Sequence, residues 1–350
     1  MTPRSREYSF PSGVSHKVRG SDLMPEHPAL PSDFPPCDTR APDDGGCPAL
    51  ADRSDNHVAA GAHFARRFGR WPVPVHDPNA LINDYIFDRM IDPVWTTMER
   101  AVVDKATAKA EALKLSPNIR VPDTLAIISI DDLPSSEALF AALSPFIGRP
   151  AIAKPTHASG GVVYLEHLSS PQQLDGLFTL ASIDYSTVLR EMQYHGLKRQ
   201  IIVETLVPTL AGQSPDDYKF HCVDGEAILC QIDHSRFDKP WSRLLKLPDL
   251  APFDEADGLA WPMTYRQPTS ERTASMIEIA RSLSRPFRFV RVDLYDSPDG
   301  IYFGEWTFSP AAALGIAPSA AGDHAVNPTH LAYSEAMMSA IKLVKIPGGR

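Results

Sequence analysis

From about His57 the chain alternates between stretches with helical and stretches with strand periodicity. Asn79–Glu99 carries apolar residues at helical spacing, with Pro93 marking a break or a new first turn. Asp104–Leu115 is dense in strong helix formers, and Ser135–Leu143 and Arg272–Ser284 repeat the helical pattern. A helix is also expected over Thr187–Tyr194, and a last one from Pro328 to Lys345. Short β-prone runs fall at Leu125–Ile130, Ala151–Lys154, Tyr164–Leu168 and Gln200–Val207. Two hairpins follow. Tyr218–Val223 and Glu226–Asp233 flank Asp224-Gly225, a two-residue turn signal, and Phe289–Tyr295 and Ile301–Phe308 flank DSPDG. Strands, hairpins and helices in this order predict an α+β or α/β enzyme of two lobes, without a simple alternating parallel-sheet pattern.

Residues 1–56 lack this periodicity. Nine of the first fifty residues are proline, interleaved with Ser, Asp and Gly. Such a stretch buries too little apolar surface to offset its ordering entropy, so a disordered tail is expected, with a docking tail as the alternative. The division expected after it is 57–150 as a helical region, 151–210 as a small lobe, 211–325 as a large lobe and 326–350 as a terminal helix.

Composition narrows the function. With 350 residues, 43% hydrophobic and 22% charged, the chain is globular and long enough for two lobes. A net charge of −9 argues against broad gripping of nucleic-acid backbones. The cysteines Cys37, Cys47, Cys222 and Cys230 show neither C-x-x-C pairing nor zinc-like spacing. The charged N-terminus has no apolar segment after it, and no run of 18 apolar residues occurs, so a cytoplasmic protein without a transmembrane segment is expected. Oligomeric state is not legible.

Four segments carry candidate chemistry. If Tyr295 pairs with Ile301, then Asp293 faces Phe303, Arg291 faces Glu305, and Arg291, Asp293, Glu305 and Thr307 project from one face. That set suits a divalent cation bridging phosphates, or else is a solvated salt-bridged face; a bulge would move one strand's set to the other side. The run AIAKPTHASGG delivers Lys154 and then Ser159, Gly160 and Gly161. This is either a phosphate-covering loop or an ordinary turn, and His157 in it is either a phosphate contact or solvated. Lys105 opens a helix, where a cation is unfavourable unless an anion offsets it. Glu204, Thr205 and Leu206 end a strand that can meet an adenine edge, or are simply its polar end.

In chain order, VDK (103–105), IAKPTHASGG (152–161), VET (203–205), DYKFHCVDG (217–225), QIDHSRF (231–237), RPFRFVRVDLYD (285–296) and IYFGEWTFSP (301–310) resemble the ATP-grasp superfamily, and within it the teichuronopeptide-biosynthesis-like (TupA-like) ATP-grasp family. The resemblance spans roughly residues 75–320. It implies an α+β ATP-grasp fold whose two lobes clamp ATP. Lys105, Lys154, Ser159, Gly160 and Gly161 would then meet phosphate. Glu204, Thr205 and Leu206 would meet adenine, and Asp217 ribose. Asp293 and Glu305, with Thr307 where many relatives have Asn, would hold Mg²⁺. Arg291 would stabilise transfer, with Lys219 and Arg236 facing phosphate or substrate. The activity implied is an ADP-forming carboxylate–amine ligase joining an amino acid, peptide or sugar carboxylate to an amine through an acylphosphate, in cell-surface polysaccharide or small-peptide synthesis. The alternatives are a kinase on the same scaffold and a nucleotide-binding regulatory module.

Overall fold

The computed structural model describes residues 52–209, 215–234, 241–255, 258–315, 326 and 328–343. Helices α1 (Arg53–Phe68), α2 (Ile82–Met90), α3 (Thr97–Val103) and α4 (Lys105–Leu115) come first. The first of them begins inside the stretch read as tail, because the Asp52 carboxylate accepts from Ser54 N and caps it. A capping box formed by Thr96 and Glu99 starts α3, and Asp104 caps α4 by accepting from Ala106 N at 2.9 Å. Pro93 falls in the break between α2 and α3, where the sequence puts it.

The strands form two sheets. Strands β1 (Thr124–Ser129), β2 (Ala151–Pro155), β3 (Val163–Tyr164) and β4 (Gln200–Thr205) make an antiparallel sheet of order β1-β4-β2-β3. Helices α5 (Ser136–Leu143) and α6 (Asp175–Ser182) cover it. Leu139, Leu143, Leu165, Leu177, Ile201 and Val203 form its core. Strands β5 (Asp216–Val223), β6 (Glu226–His234), β7 (Trp241–Lys246), β8 (Phe289–Ser297) and β9 (Gly300–Thr307) make the larger sheet, of order β7-β6-β5-β8-β9. Asp224 and Gly225, at φ 48° and 82°, both take the left-handed conformation that a tight β5–β6 turn requires.

The larger sheet has two unlike faces because successive side chains alternate. Tyr218, Phe220, Cys222, Val290, Val292 and Leu294 point into a core with helix α8 (Ser270–Ser284), whose Met276, Ala280 and Leu283 fill it. Burying each of the Val, Leu, Phe and Met side chains among them contributes roughly 1.5–3 kcal/mol. The opposite face carries charges in its middle. Beyond them, α1, α2 and helix α9 (Pro328–Leu343) pack on Val223, Leu229 and Phe289. The two sheets are tied by the segment after α4: Arg120 N donates to Ile301 O at 2.9 Å, Phe303 N donates to Arg120 O at 2.8 Å, and the chain then enters β1.

Three expected elements differ. The strand at Tyr164–Leu168 stops at Tyr164, because Leu165 turns fully into the core and a 3₁₀ turn runs through His167. Thr187–Tyr194 is not one helix. A single turn, α7 (Ser186–Leu189), ends at Arg190, which is left-handed at φ 61°, and a 3₁₀ turn at Met192–Tyr194 follows. The β8–β9 register differs as well: Tyr295 pairs with Tyr302, not Ile301. The last helix is described to Leu343, so its expected end at Lys345 lies outside the described residues.

Candidate active site

That register decides the site. At the turn end of the hairpin, Tyr295–Tyr302 pairing would put Glu305 on the face opposite Asp293. A bulge between Asp293 and Leu294 absorbs Gly304 and corrects this, so that Asp293 pairs with Glu305 and Arg291 with Thr307. Thus Asp293 does not face Phe303 and Arg291 does not face Glu305, yet the four residues still share one face. Glycine suits the bulge, since a Cβ on Gly304 would sit 3.0 Å from the Asp293 carbonyl oxygen.

Around this pair the face is built from alternate residues of β5, β6, β8 and β9. Arg291 grips Asp293 with two hydrogen bonds of 2.7 Å and donates to Thr307 Oγ1 at 3.1 Å. Lys219, almost fully buried, ion-pairs with Asp217, with Asp293 at 3.2 Å and with Asp233 at 3.4 Å. Burial alone would lower both cations, but the surrounding carboxylates raise Lys219 and Arg291 instead. Burial would raise Glu305; Lys105, Arg291, Lys219 and Lys154 pull it down to about 2. Its side chain is 37% exposed, the most open of the acidic group. Burial, with Arg291 and Lys219, pushes His221 down, and its Nδ1 lies 2.9 Å from the Tyr333 hydroxyl of α9.

The smaller sheet supplies the opposite charge. Lys105, the first residue of α4, donates to Ala158 O at 2.7 Å and lies 3.7 Å from Glu305. Lys154 on β2 ion-pairs with Glu204 on β4, and Lys109 reaches the same carboxylate at 2.5 Å. Burial lowers Lys105 and Lys109, and the Lys154 charge adds to it, against Glu305 and Glu204. Burial would raise Glu204, but its two lysines hold it below the usual carboxylate range.

The loop after Lys154 meets Lys105 at Ala158. Ser159 is exposed, and Gly160 and Gly161 are left-handed at φ 81° and 67°. A Cβ on Gly161 would meet Leu180 at 2.7 Å. His157 is buried rather than solvated, and burial lowers it. At the end of β4, Thr205 N donates to Asp123 O and Leu206 N to Pro150 O. These two residues border an open cleft of about 430 Å³ with Arg120, Asp123, Pro208 and Tyr302.

The structure therefore brings Lys105, Lys154, Glu204, Lys219, Arg291, Asp293, Glu305 and Thr307 into one region bounded by both sheets. Asp217 belongs to the Lys219 cluster, and Glu204 is engaged by lysines. Arg236 lies outside the described residues. Sequence reasoning missed Lys109 and Asp233. The signal for Lys109 was its i, i+4 spacing from Lys105, which places both on one helix face. For Asp233 it was the alternation with Gln231 in a strand already read as a hairpin arm.

Comparison with known proteins bears on the same segment. No curated protein matches the chain. Among solved structures, the ATP-grasp ligase PsnB complexed with minimal precursor aligns at 13% identity and TM-score 0.31, over 61% of this chain and 55% of that one. D-alanine–D-alanine ligase from Bacillus anthracis aligns at 14% and 0.34, over 59% and 57%. The ADP complex of PurK, N5-carboxyaminoimidazole ribonucleotide synthetase, aligns at 14% and 0.32, over 61% and 47%. The alignments thus span about half the length of these proteins, and the assignment rests instead on the family model described as TupA-like ATPgrasp, which matches residues 146–318. The glycine loop, Lys154, Lys219 and the Asp293–Glu305 strand pair lie inside that segment, with Lys105 and Lys109 before it, and residues 146–318 match the TupA-like ATP-grasp family.

Proposed function

We propose that the protein is an ATP- and Mg²⁺-dependent, ADP-forming carboxylate–amine ligase. The observation that carries this reading is Lys105, which touches the glycine-loop backbone at Ala158 and lies within 3.7 Å of Glu305, so that a phosphate-type loop and a carboxylate pair border one space. Lysines short of negative charge on one side suit the phosphates of ATP.

The donor set on the other side fits Mg²⁺. This ion takes one or two protein carboxylates and completes its shell with phosphate oxygens and water, and Asp293 and Glu305 are adjacent partners across β8 and β9. No group of three or more His, Cys, Asp or Glu able to hold a metal occurs among the described residues. Asp293 and Glu305 would hold it, with Thr307 beside them, and the ion would neutralise phosphate charge. In this reading the adenine lies at the cleft beside Thr205 and Leu206, whose own N–H groups are paired with Asp123 O and Pro150 O.

In the reaction proposed, a substrate carboxylate oxygen attacks the γ-phosphorus and ADP leaves, giving an acylphosphate. An amine nitrogen then attacks the acyl carbon, phosphate leaves, and the amine gives up a proton as the amide forms. Lys105, Lys154 and Lys219 hold the phosphates, and Arg291 offsets the charge of the oxyanion. Positioning and electrostatics are what such transfer requires of a protein. The substrates fall in the class of amino acid, peptide or sugar carboxylates with an amine acceptor. No helix of the described residues is long and apolar enough to cross a membrane.

ATP consumption should be screened against pools of carboxylates and amines, with products identified by mass. ADP, phosphate and an amide formed together support the reading. A stable phosphoester makes the protein a kinase, and tight ATP binding without turnover on any pool makes it a binding module.

A further inference from the structure

Two lysines touch the Glu204 carboxylate, and they do so in unlike ways. Glu204 sits on β4, the strand between β1 and β2, and is 2% exposed. Lys109 of α4 lies 2.5 Å from its Oε2, and Lys154 of β2 ion-pairs with its Oε1, so each lysine has its own oxygen. Lys109 is occupied further. Its Nζ donates to Pro122 O at 2.9 Å and to Thr124 Oγ1 at 3.1 Å, at the entry to β1, where Thr124 is the cross-strand partner of Glu204. An ammonium has three N–H donors and no acceptor. Lys109 thus meets three acceptors fixed in the fold, whereas Lys154 meets Glu204 alone among the described residues.

That difference decides which lysine is available to a ligand. Lys154 stands at the stem of the loop that carries Ser159, Gly160 and Gly161. A phosphate arriving there must draw Lys154 from its carboxylate. A buried carboxylate stripped of every cation is strongly unfavourable. With Lys109 in place, Glu204 keeps one counter-charge throughout, and Lys154 exchanges one anion for another. Without Lys109, Lys154 would be the last cation on Glu204 and would be held there. Lys105, one turn earlier on α4, does not share this task, since its contacts are Ala158 O and Glu305.

We propose that Lys109 is a positioning residue of the nucleotide site: it stays on Glu204 as a fixed counter-charge and thereby frees Lys154 for phosphate. This rests on the ATP-dependent reading for the phosphate, while the division between a fixed and a transferable lysine is a matter of geometry. Lys109 itself touches no nucleotide.

The test measures ATP affinity by calorimetry on the full chain and on Lys109→Met, Lys154→Met and Glu204→Gln, with each lysine change repeated in the Glu204→Gln background. Melting without ATP is followed for the same set and for the double lysine variant. Lys109→Met alone should weaken ATP by about 10-fold or more, the scale of one charge-assisted contact withheld. With Glu204→Gln no carboxylate remains to hold Lys154, so Lys109→Met should then change affinity by less than about 3-fold. The two lysine changes together should lower Tm by more than the sum of the singles, because Glu204 then loses both cations. Parent-like affinity in Lys109→Met, or a Tm loss that is merely additive, overturns the proposal. So does an equal loss of affinity in both backgrounds, which would put Lys109 on the nucleotide itself. Should Lys109→Met not fold, Lys109→Gln, which keeps an N–H donor for Pro122 O without the charge, is judged by the same outcomes. A parent that binds no ATP, or a Lys154→Met variant that binds it as the parent does, brings down the nucleotide reading and this proposal with it. Loss of ATP in Lys154→Met but not in Lys109→Met overturns the proposal and leaves that reading standing.

Discussion

The two sheets hold charge in opposite ways. On the smaller one, Lys105, Lys109 and Lys154 gather around the single buried carboxylate of Glu204, and burial pulls Lys105 and Lys109 down. On the larger, Asp217, Asp233, Asp293 and Glu305 surround Lys219 and Arg291, and both of those cations are raised. One side is short of anions and the other of cations. A buried group's shift reports what its neighbours lack. In the function proposed, a polyphosphate would meet the lack on one side and a divalent ion the lack on the other. Lys105 and Glu305, the pair that meets across the gap, are where the two requirements touch.

Breaking the cation side of this comparison should have the largest effect. Glu305→Gln keeps the size and part of the hydrogen bonding of a 37%-exposed side chain, so the fold should survive. Mg²⁺-dependent turnover should fall by about 100-fold or more, the scale seen when one group stabilising transferred charge is removed. Activity like the parent's, measured over a Mg²⁺ titration, would take Glu305 out of the metal role. Next comes the anion side. Lys154→Ala removes a charge-assisted contact worth roughly 1.5–3 kcal/mol, about 10-fold to over 100-fold in ATP affinity. Calorimetry showing unchanged affinity would show that Lys154 serves Glu204 and not phosphate.

The geometry between them can be sharpened with Gly304→Ala. The new Cβ would lie 3.0 Å from the Asp293 carbonyl oxygen and 3.1 Å from Tyr295, so the bulge must shift. A loss of about 1–3 kcal/mol in stability is expected, as for other overpacking changes, with turnover falling further than stability explains. Parent-like denaturation and turnover together would mean the bulge has slack. The smallest effect is on pH dependence. Glu191, at about 7 in the folded protein and near 4.5 when unfolded, keeps its proton longer in the fold. Stability therefore falls as pH rises from about 4.5 to about 7. His330, lowered to about 4 by burial, acts oppositely across a similar window, because it must charge as pH falls. Glu191→Gln should remove only the first contribution, raising Tm near pH 7.5 relative to pH 5 by roughly 2 °C or more. An unchanged Tm difference between the two pH values would show that the buried acid is not titrating there.

The smaller sheet was the more legible of the two. Lys154, Ser159, Gly160 and Gly161 are contiguous, so their placement in one loop follows from local order, and the helix beginning at Lys105 was marked by Asp104. Lys109 was available through its helical spacing from Lys105. The larger sheet depended on register. The sequence predicted a common face for Arg291, Asp293, Glu305 and Thr307, and the structure has one, though the pairing expected was Tyr295 with Ile301. Two offsets, one at the turn and one at Gly304, compensate, and an even total shift leaves the alternation of sides intact. With either offset alone, Asp293 and Glu305 would lie on opposite sides of the sheet.

Local spacing by itself determined the order of most elements, the hairpin at Asp224-Gly225 and the residues able to carry phosphate chemistry. Periodicity and turn chemistry act within a few residues and can be read one segment at a time. Only the tertiary structure decided that Glu204 is held between Lys109 and Lys154, that Lys105 reaches Glu305, and that Ser309 donates to Glu191. Those contacts link residues far apart in the chain, and their energies depend on burial and on distances of a few ångström, which no pattern of neighbouring residues encodes.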